Sequence, residues 1–226
     1  MIITIDGTSA SGKTSAAREL AHRLGFALLR TGAMYRALAL AAHRNQYDDL
    51  SHQAALIAQL PRWNIDADEE HVYLNGTDVT EEIDGNLMSH LSSMWAEVRE
   101  VREHITEFIR QRAAMYLNEG RSFVAEGRDQ GSYVFPDACC KFYIDADVTI
   151  RAERRLRDLH HREDHSKTVQ QLVVELNERD TRDKEREFAP LCVPNRAVMI
   201  DSTHLSKAEV VERLLQHVEN CRGQAK

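Results

Sequence analysis

The clearest chemical signal in the sequence is a glycine-rich segment near its start. Residues 7–14 read Gly-Thr-Ser-Ala-Ser-Gly-Lys-Thr and satisfy the pattern GxxxxGK[ST] in full. Glycines let backbone N–H groups curl around phosphate oxygens, and a helix N-terminus adds positive potential. We therefore predict a loop that binds a nucleoside triphosphate. It comprises Gly7, Thr8, Ser9, Ala10, Ser11, Gly12, Lys13, Thr14 and Ser15.

Within this loop, two roles follow from side-chain chemistry. Lys13 can reach the β- and γ-phosphates, and the hydroxyl of Thr14 or Ser15 can hold Mg²⁺. The loop does not decide the reaction, since GTPases, ATPases and small-molecule kinases all use one. No Asn-Lys-x-Asp stretch is present to read guanine. Asp145 and Asp201 end apolar segments, and each could hold magnesium or cap the helix that follows.

Clustered arginines favour a kinase, because phosphoryl transfer develops charge that cations stabilise. The first cluster has two interpretations, a solvated helix face or a lid that closes on ATP. It contains Arg151, Arg154, Arg155, Arg157 and Arg162.

A second cluster continues a helical pattern near residue 180. Arg179, Asp183 and Arg186 fall within an arc of about 60° on a helix, beside its apolar stripe. An exposed salt-bridge ladder is the alternative to a phosphate and ribose site. Two further groups follow predicted strands, Glu126-Gly127-Arg128-Asp129 and Thr31–Arg36. Ligands of open α/β sheets bind at the carboxyl ends of strands.

These groups need a scaffold, and the apolar pattern predicts one. Five short apolar segments without strict alternation indicate strands of a parallel sheet, separated by helical patterns. We therefore expect a parallel α/β sandwich. The last helix opens with Ser206 and Glu209 in capping-box register. The strands are predicted at Ile2–Asp6, Ala27–Arg30, Phe123–Glu126, Lys141–Asp145 and Ala197–Asp201.

One stretch departs from this alternation. Residues 63–80 alternate around Asn75-Gly76, which predicts a β-hairpin. We place a small β insertion at residues 60–86, extending to about residue 100 with the flanking segment. Otherwise we expect a single domain over residues 1–226, with a lid at about residues 151–167.

Composition limits the function classes. The chain has 226 residues, 42% hydrophobic and 29% charged, as in soluble globular proteins. No apolar run approaches the roughly 20 residues that span a bilayer. The start lacks a basic region and a cleavage site, and the four cysteines show no metal spacing, so we expect a cytoplasmic protein with free thiols. The net charge of −7 argues against nucleic-acid binding. We expect no membrane partner and a monomer.

Taken together, these motifs resemble those of bacterial-type cytidylate kinases, which phosphorylate CMP and dCMP from ATP. The resemblance runs nearly end to end through IDG-x₄-GK, TGAMYR, NGTDV, EGRDQGSYVFPDA and ERDTRDKEREFAPL. It implies a P-loop kinase fold with a five-stranded parallel sheet, a CMP-binding insertion and a lid. It also implies Mg²⁺-dependent transfer from ATP to CMP or dCMP, in pyrimidine nucleotide metabolism.

The resemblance assigns residue roles by position. Thr31, Arg36, Arg128 and Arg186 would contact the CMP phosphate, and Arg155 would approach the ATP phosphates. Ser93, Arg102 and Asp129 would read cytosine, while Arg179 and Asp183 would hold the ribose. Lys13, Arg128, Arg155 and Arg186 would be the catalytic cations.

Two departures from the family pattern leave questions open. Val98-Arg99-Glu100 repeats the tripeptide Val101-Arg102-Glu103 within a longer segment, so Arg99 could replace Arg102; the spacing from Ser93 favours Arg102. Asp84 stands where the family often has an arginine. A kinase that prefers UMP or AMP, and a non-catalytic ATP-sensing module, are the alternatives.

Overall fold

The computed structural model describes residues 1–161 and 165–224 and contains a five-stranded parallel sheet among helices. The sheet has the strand order β2-β6-β1-β7-β8, which confirms the predicted fold class. All five predicted strands are present with ends shifted by at most one residue. They are β1 Ile2–Gly7, β2 Ala27–Arg30, β6 Phe123–Gly127, β7 Cys140–Asp145 and β8 Val198–Asp201.

The chain forms two compact units. The first comprises residues 1–25 and 127–226, and the second comprises residues 26–126. In the first unit, β1 pairs with β7 and β7 pairs with β8, and Ile3 and Ile5 of β1 are fully buried. Strands buried on both faces explain the unbroken apolar runs in the sequence. Its helices are α1 Lys13–Leu24, α6 Val148–His160, α7 Val169–Glu185 and α8 Lys207–Gln224.

The second unit pairs β2 with β6 and adds a small antiparallel sheet. Its core helix α2 opens at Thr31, directly after β2. The unit's helices are α2 Thr31–Arg44, α3 Gln53–Gln59, α4 Asn86–Trp95 and α5 Arg99–Asn118. Its remaining strands are β3 Ile65–Ala67, β4 Val72–Leu74 and β5 Thr77–Asp78.

The predicted hairpin is the antiparallel sheet β3-β4-β5. Asn75 (φ 52°) and Gly76 (φ 79°) both have positive φ, which is the type I′ conformation that joins two strands tightly. Asn75 also accepts the N–H of Asn64 through its side-chain oxygen at 2.8 Å. The turn therefore fixes the register between β4 and β5. Through the Asn64 bond it also attaches this hairpin to the residue directly before β3.

Side-chain caps define several helix starts. Thr168 and Gln171 form a reciprocal capping box on α7, and Ser206 and Glu209 form the predicted one on α8. Asp147 caps α6 by accepting N–H bonds from the first turn. Among residues 1–161 and 165–224, no helix is long and apolar enough to cross a membrane. Arg162 and the rest of 162–164, which belong to the expected lid, lie outside the described residues.

Candidate active site

The glycine-rich segment joins β1 to α1 in the first unit, as predicted. Gly7 has φ 151°, and a Cβ there would lie 1.9 Å from the Ile144 carbonyl oxygen, so no larger residue fits. Gly12 precedes the helix with φ 87°. Ala10 has φ 57°, a left-handed conformation that costs a non-glycine residue roughly 1 kcal/mol or more. The loop is thus held in a curled, partly strained shape.

Hydrogen bonds inside the first unit maintain this shape. The Thr8 carbonyl accepts bonds from Lys13 Nζ at 2.8 Å and from Ser11 Oγ at 3.0 Å. Thr8 Oγ1 donates to Asp145 Oδ1 at 2.6 Å. Asp145 therefore contacts the phosphate-binding loop. Neither Asp145 nor Asp201 caps the helix that follows it. Asp147 caps α6, and Ser206 caps α8.

A cavity of about 390 Å³ opens in front of the loop. Thr14 and Ser15 are exposed there, and neither hydroxyl makes a hydrogen bond within the described part of the chain. Mg²⁺ accepts one or two hard oxygen ligands from protein and completes its shell with phosphates and water, so both hydroxyls fit it. The loop side of the cavity consists of Ala10, Ser11, Gly12, Lys13, Thr14, Ser15 and Ala16.

The opposite wall of the cavity comes from α6, the end of β8 and the start of α8. Arg154 donates to Ser202 Oγ at 3.0 Å and to the Ser202 carbonyl at 2.6 Å, and Ser202 Oγ donates to the Ser11 carbonyl at 3.1 Å. Burial lowers the pKa of Arg154. Sequence reasoning missed this β8–α8 wall, although it follows the carboxyl end of a strand. The wall consists of Arg154, Arg157, Asp158, Ser202, Leu205, Lys207 and Val210.

The remaining arginines of the expected lid occupy different environments. Arg155 is half-buried and does not line this cavity. Arg151 is buried at the base of α6, where its Nε donates to the Ala146 carbonyl at 2.9 Å. The solvated-face interpretation therefore does not describe Arg151.

A second charged group of the first unit surrounds Asp183. Arg128 Nε donates to Asp183 Oδ2 at 2.8 Å, and Arg186 Nη1 donates to Asp183 Oδ1 at 3.3 Å. Burial raises the pKa of Asp183, but the guanidiniums of Arg128, Arg179 and Arg186 outweigh it and lower that pKa to about 2. The sequence-predicted group of Arg179, Asp183 and Arg186 is thus brought together. Arg186 lies just after α7 instead of on it.

Next to these arginines, Asp129 is buried with a carboxylate neighbour. Gln130 Nε2 donates to Asp129 Oδ1 at 3.0 Å, and the backbone N–H groups of Gln130 and Gly131 donate to Asp6 at 2.7 Å each. Burial raises the pKa of Asp6 to about 7, assisted by the charge of Asp129 and opposed by the two N–H groups and Lys13. Asp6 thereby connects the strand before the loop to the turn that carries Asp129.

The second unit contains the other predicted substrate residues. Thr31 begins α2, is buried, and donates its hydroxyl to the Glu126 carbonyl at 2.8 Å. Arg36 lies one turn later and is half-buried. A Cβ at Gly32 would stand 3.9 Å from Arg36 Nη1, so this guanidinium extends back along α2 toward the helix start.

Ser93 and Arg102 lie on α4 and α5 of the same unit. Arg102 is 2% exposed, its Nη1 donates to the Ala96 carbonyl at 3.3 Å, and its guanidinium carbon lies 5.5 Å from the Tyr35 ring centre. Ser93 is buried with a hydroxyl that makes no hydrogen bond in the described chain. Arg99, in contrast, is exposed and bonds Glu103 one turn further. Of the two candidate arginines, only Arg102 is buried.

Comparison with known proteins defines the family. The sequence model of the family described as cytidylate kinase matches residues 3–220. A cytidylate kinase of Caldanaerobacter subterraneus is 36% identical over 223 residues, which are 98% of this chain and 96% of that protein. One of Bdellovibrio bacteriovorus is 39% identical, over 97% of this chain and 98% of that protein. A crystal structure of an uncharacterized protein from Eubacterium ventriosum has a similar fold, with a TM-score of 0.51, 14% identity and coverage of 97% and 98%. The chain belongs to the cytidylate kinase family.

Proposed function

We propose that this protein transfers the γ-phosphoryl group of ATP to CMP or dCMP, giving ADP and CDP or dCDP. Family membership over 96–98% of the chain supports the activity. The observation that carries the proposal is the buried carboxylate of Asp183 held among Arg128, Arg179 and Arg186, in the same unit as the phosphate-binding loop. A group of three guanidiniums in addition to Lys13 fits a second anionic substrate.

ATP binds with its phosphates in the loop of residues 7–15 and the rest of the nucleotide in the 390 Å³ cavity. Lys13, at the start of α1, supplies a cation where charge grows on the transferred group. The hydroxyl of Thr14 or Ser15 would hold Mg²⁺, which would supply charge neutralisation to the phosphates. Arg154 and Arg157 line the cavity and are cations available to the nucleotide there, whereas Arg155, which the family resemblance assigns to the ATP phosphates, lies outside the cavity lining.

CMP is recognised by three groups of residues. Thr31, Arg36, Arg128 and Arg186 bind its phosphate, and Arg179 and Asp183 bind the ribose. Ser93, Arg102 and Asp129 read the cytosine, and the burial of Arg102 supports its assignment over Arg99. The acceptor oxygen is already anionic, so no general base is required. Catalysis consists of in-line positioning and charge stabilisation by Lys13 and the arginines.

A substrate panel tests the activity. ADP release is measured with ATP and Mg²⁺ in the presence of CMP, dCMP, UMP or AMP, for the wild type and for Lys13→Ala. We expect CMP and dCMP to exceed UMP and AMP, and Lys13→Ala to lower turnover by roughly 10²-fold or more. A preference for UMP or AMP would reassign the acceptor. ATP binding without ADP release for any acceptor would identify a sensing module instead.

We further propose that the enzyme works as a cytoplasmic monomer in pyrimidine nucleotide metabolism. Its net charge of −7 supports small-molecule substrates over nucleic acid. Size-exclusion chromatography with light scattering measures the oligomeric state directly.

A further inference from the structure

A buried ion pair lies behind the phosphate-binding loop, outside the cavity. Arg151 of α6 and Asp180 of α7 are 5% and 4% exposed, and Arg151 Nη1 donates to Asp180 Oδ2 at 2.6 Å. Both side chains also bind the loop backbone. Asp180 Oδ1 accepts the Ser9 N–H at 3.1 Å, and Arg151 Nη1 donates to the Ser9 carbonyl at 3.0 Å.

These bonds use the backbone N–H and the backbone carbonyl of Ser9, so the Ser9 N–H is not available to a phosphate. The cavity lining begins at the next residue, Ala10, and continues to Ala16. Arg151 and Asp180 thus contact the side of the loop that faces away from the cavity. The residues from Ala10 onward form the side that faces the phosphates. We infer that Arg151 and Asp180 are positioning residues that hold the phosphate-binding loop in its ATP-binding shape through the backbone of Ser9.

Ala10 shows why such a support is required. Its φ of 57° is unfavourable for a residue with a Cβ and persists only where the surroundings impose it. The Ser9 backbone bonds fix the chain directly before Ala10. In addition, the Ala10 side chain packs against a core cluster formed by α6 and α7, which includes Ala152, Leu159 and Leu176. The α6–α7 pair therefore holds the loop by two kinds of contact at adjacent residues.

A role in holding the loop also explains why α6 and α7 each bury a charged side chain, which costs desolvation energy. A buried ion pair is weak evidence for stability, because desolvation offsets much of its attraction. Its additional bonds to Ser9 and to the Ala146 carbonyl give both charged side chains further hydrogen-bond partners. We assign to the pair the preorganisation of a binding loop, which lowers the cost of ordering that loop when ATP binds.

The first experiment measures ATP binding by calorimetry, with Mg²⁺ and without an acceptor. This inference rests on the ATP site of the proposed function, but it does not require CMP, so failure of CMP phosphorylation leaves the test intact. Asp180→Ala should raise the Kd of ATP about tenfold or more, and Asp180→Asn should raise it less, since an amide oxygen can still accept the Ser9 N–H. Arg151→Lys gives a second mild variant should Asp180→Ala not fold.

The second experiment separates positioning from loss of stability. Ala10→Gly removes the cost of the positive φ together with the Ala10 side chain, so it is the reference for the double variant. Adding Asp180→Ala to Ala10→Gly should raise the Kd of ATP by no more than about threefold over Ala10→Gly alone. Leu214→Ala, a fully buried α8 residue outside the cavity lining, matches the fall in Tm without touching Ser9 and should leave the Kd close to wild type. A wild-type Kd for Asp180→Ala, an equal loss in Leu214→Ala, or an undiminished loss in the Ala10→Gly background would each overturn the inference.

Discussion

At the scale of single residues, base selection depends on a carboxylate held in place by its neighbour. Asp129 is 2% exposed, and the Gln130 amide donates to its Oδ1 at 3.0 Å. Cytosine offers an N4 amine where uracil offers an acceptor oxygen. A fixed carboxylate therefore accepts a bond from one base and repels the other.

Asp129→Ala should lower kcat/KM for CMP more than for UMP. A charge-assisted hydrogen bond is worth about 1.5–3 kcal/mol, or roughly 10- to 150-fold in rate. Steady-state kinetics with both substrates gives the CMP/UMP ratio, which should narrow. Asp183→Asn is the control, because ribose contacts are common to both nucleotides and the ratio should stay constant. An unchanged ratio in Asp129→Ala would mean that Asp129 has no part in reading the base.

The buried carboxyl of Asp6 predicts that the protein loses stability as the pH rises. A carboxylate that is paired in the folded state has the opposite effect. Its pKa in the folded protein is raised from 3.8 to about 7, chiefly by burial. The folded state therefore holds the proton more tightly than the unfolded state. The contribution of Asp6 to stability is fully present below about pH 4 and is lost as the pH rises toward 7.

Asp6→Asn cannot ionise, so it isolates this effect. The free energy of unfolding of the wild type minus that of Asp6→Asn should fall between about pH 4 and 7 and become flat above. The slope is at most about 1.4 kcal/mol per pH unit, the value for one proton. Urea unfolding of both proteins at pH 5, 6, 7 and 8 measures it. Parallel profiles for the two proteins would show that Asp6 titrates alike in both states.

At the scale of elements, the antiparallel sheet depends on one turn. Asn75 adopts φ 52°, which asparagine tolerates better than alanine, and its side chain bonds the Asn64 N–H at 2.8 Å. Asn75→Ala should therefore lower the free energy of unfolding by about 1–2 kcal/mol. Urea denaturation provides the value. Asn118→Ala, at the exposed end of α5, should stay within about 0.5 kcal/mol of wild type; equal losses in both variants would contradict the role of the turn.

Elements were predictable where a local pattern defined them. Apolar runs located all five strands of the parallel sheet, Asn75-Gly76 located the hairpin, and Ser206 and Glu209 located the start of α8. Local sequence could not reveal that α7 ends before Arg186, because its i,i+4 charges continue past the last helical turn. Pairings between distant positions, such as Arg151 with Asp180 or Asp6 with Gly131, arise only when separate elements pack together.

At the scale of the whole molecule, the candidate site was only partly foreseen. The loop was complete in sequence because contiguous residues form it. The β8–α8 wall of the cavity, with Ser202, Leu205 and Lys207, was missed because no motif marks residues that approach the loop from about 190 positions away. Residue types alone also treated all the α6 arginines as one group, either a lid or a solvated helix face. Burial separates Arg151, which supports the loop, from Arg154 and Arg157 in the cavity wall.

Limited proteolysis with trypsin tests how the whole molecule responds to its substrates. Arg157 is exposed near the end of α6, and Lys167 precedes α7, so both are accessible cleavage sites in the expected lid. Binding of ATP and CMP should engage Arg154 and Arg157 and protect the cleavage sites beside them, since ligands that bind a closed state suppress local opening. We expect cleavage within residues 154–167 to slow at least several-fold when both nucleotides and Mg²⁺ are present, as followed by mass spectrometry of the fragments. Lys13→Ala is the matched control, because it removes a cation from the phosphate-binding loop and should show little protection at the same nucleotide concentrations. Cleavage of the wild type at the same rate with and without nucleotides would leave the segment as an exposed helix end with no part in closure.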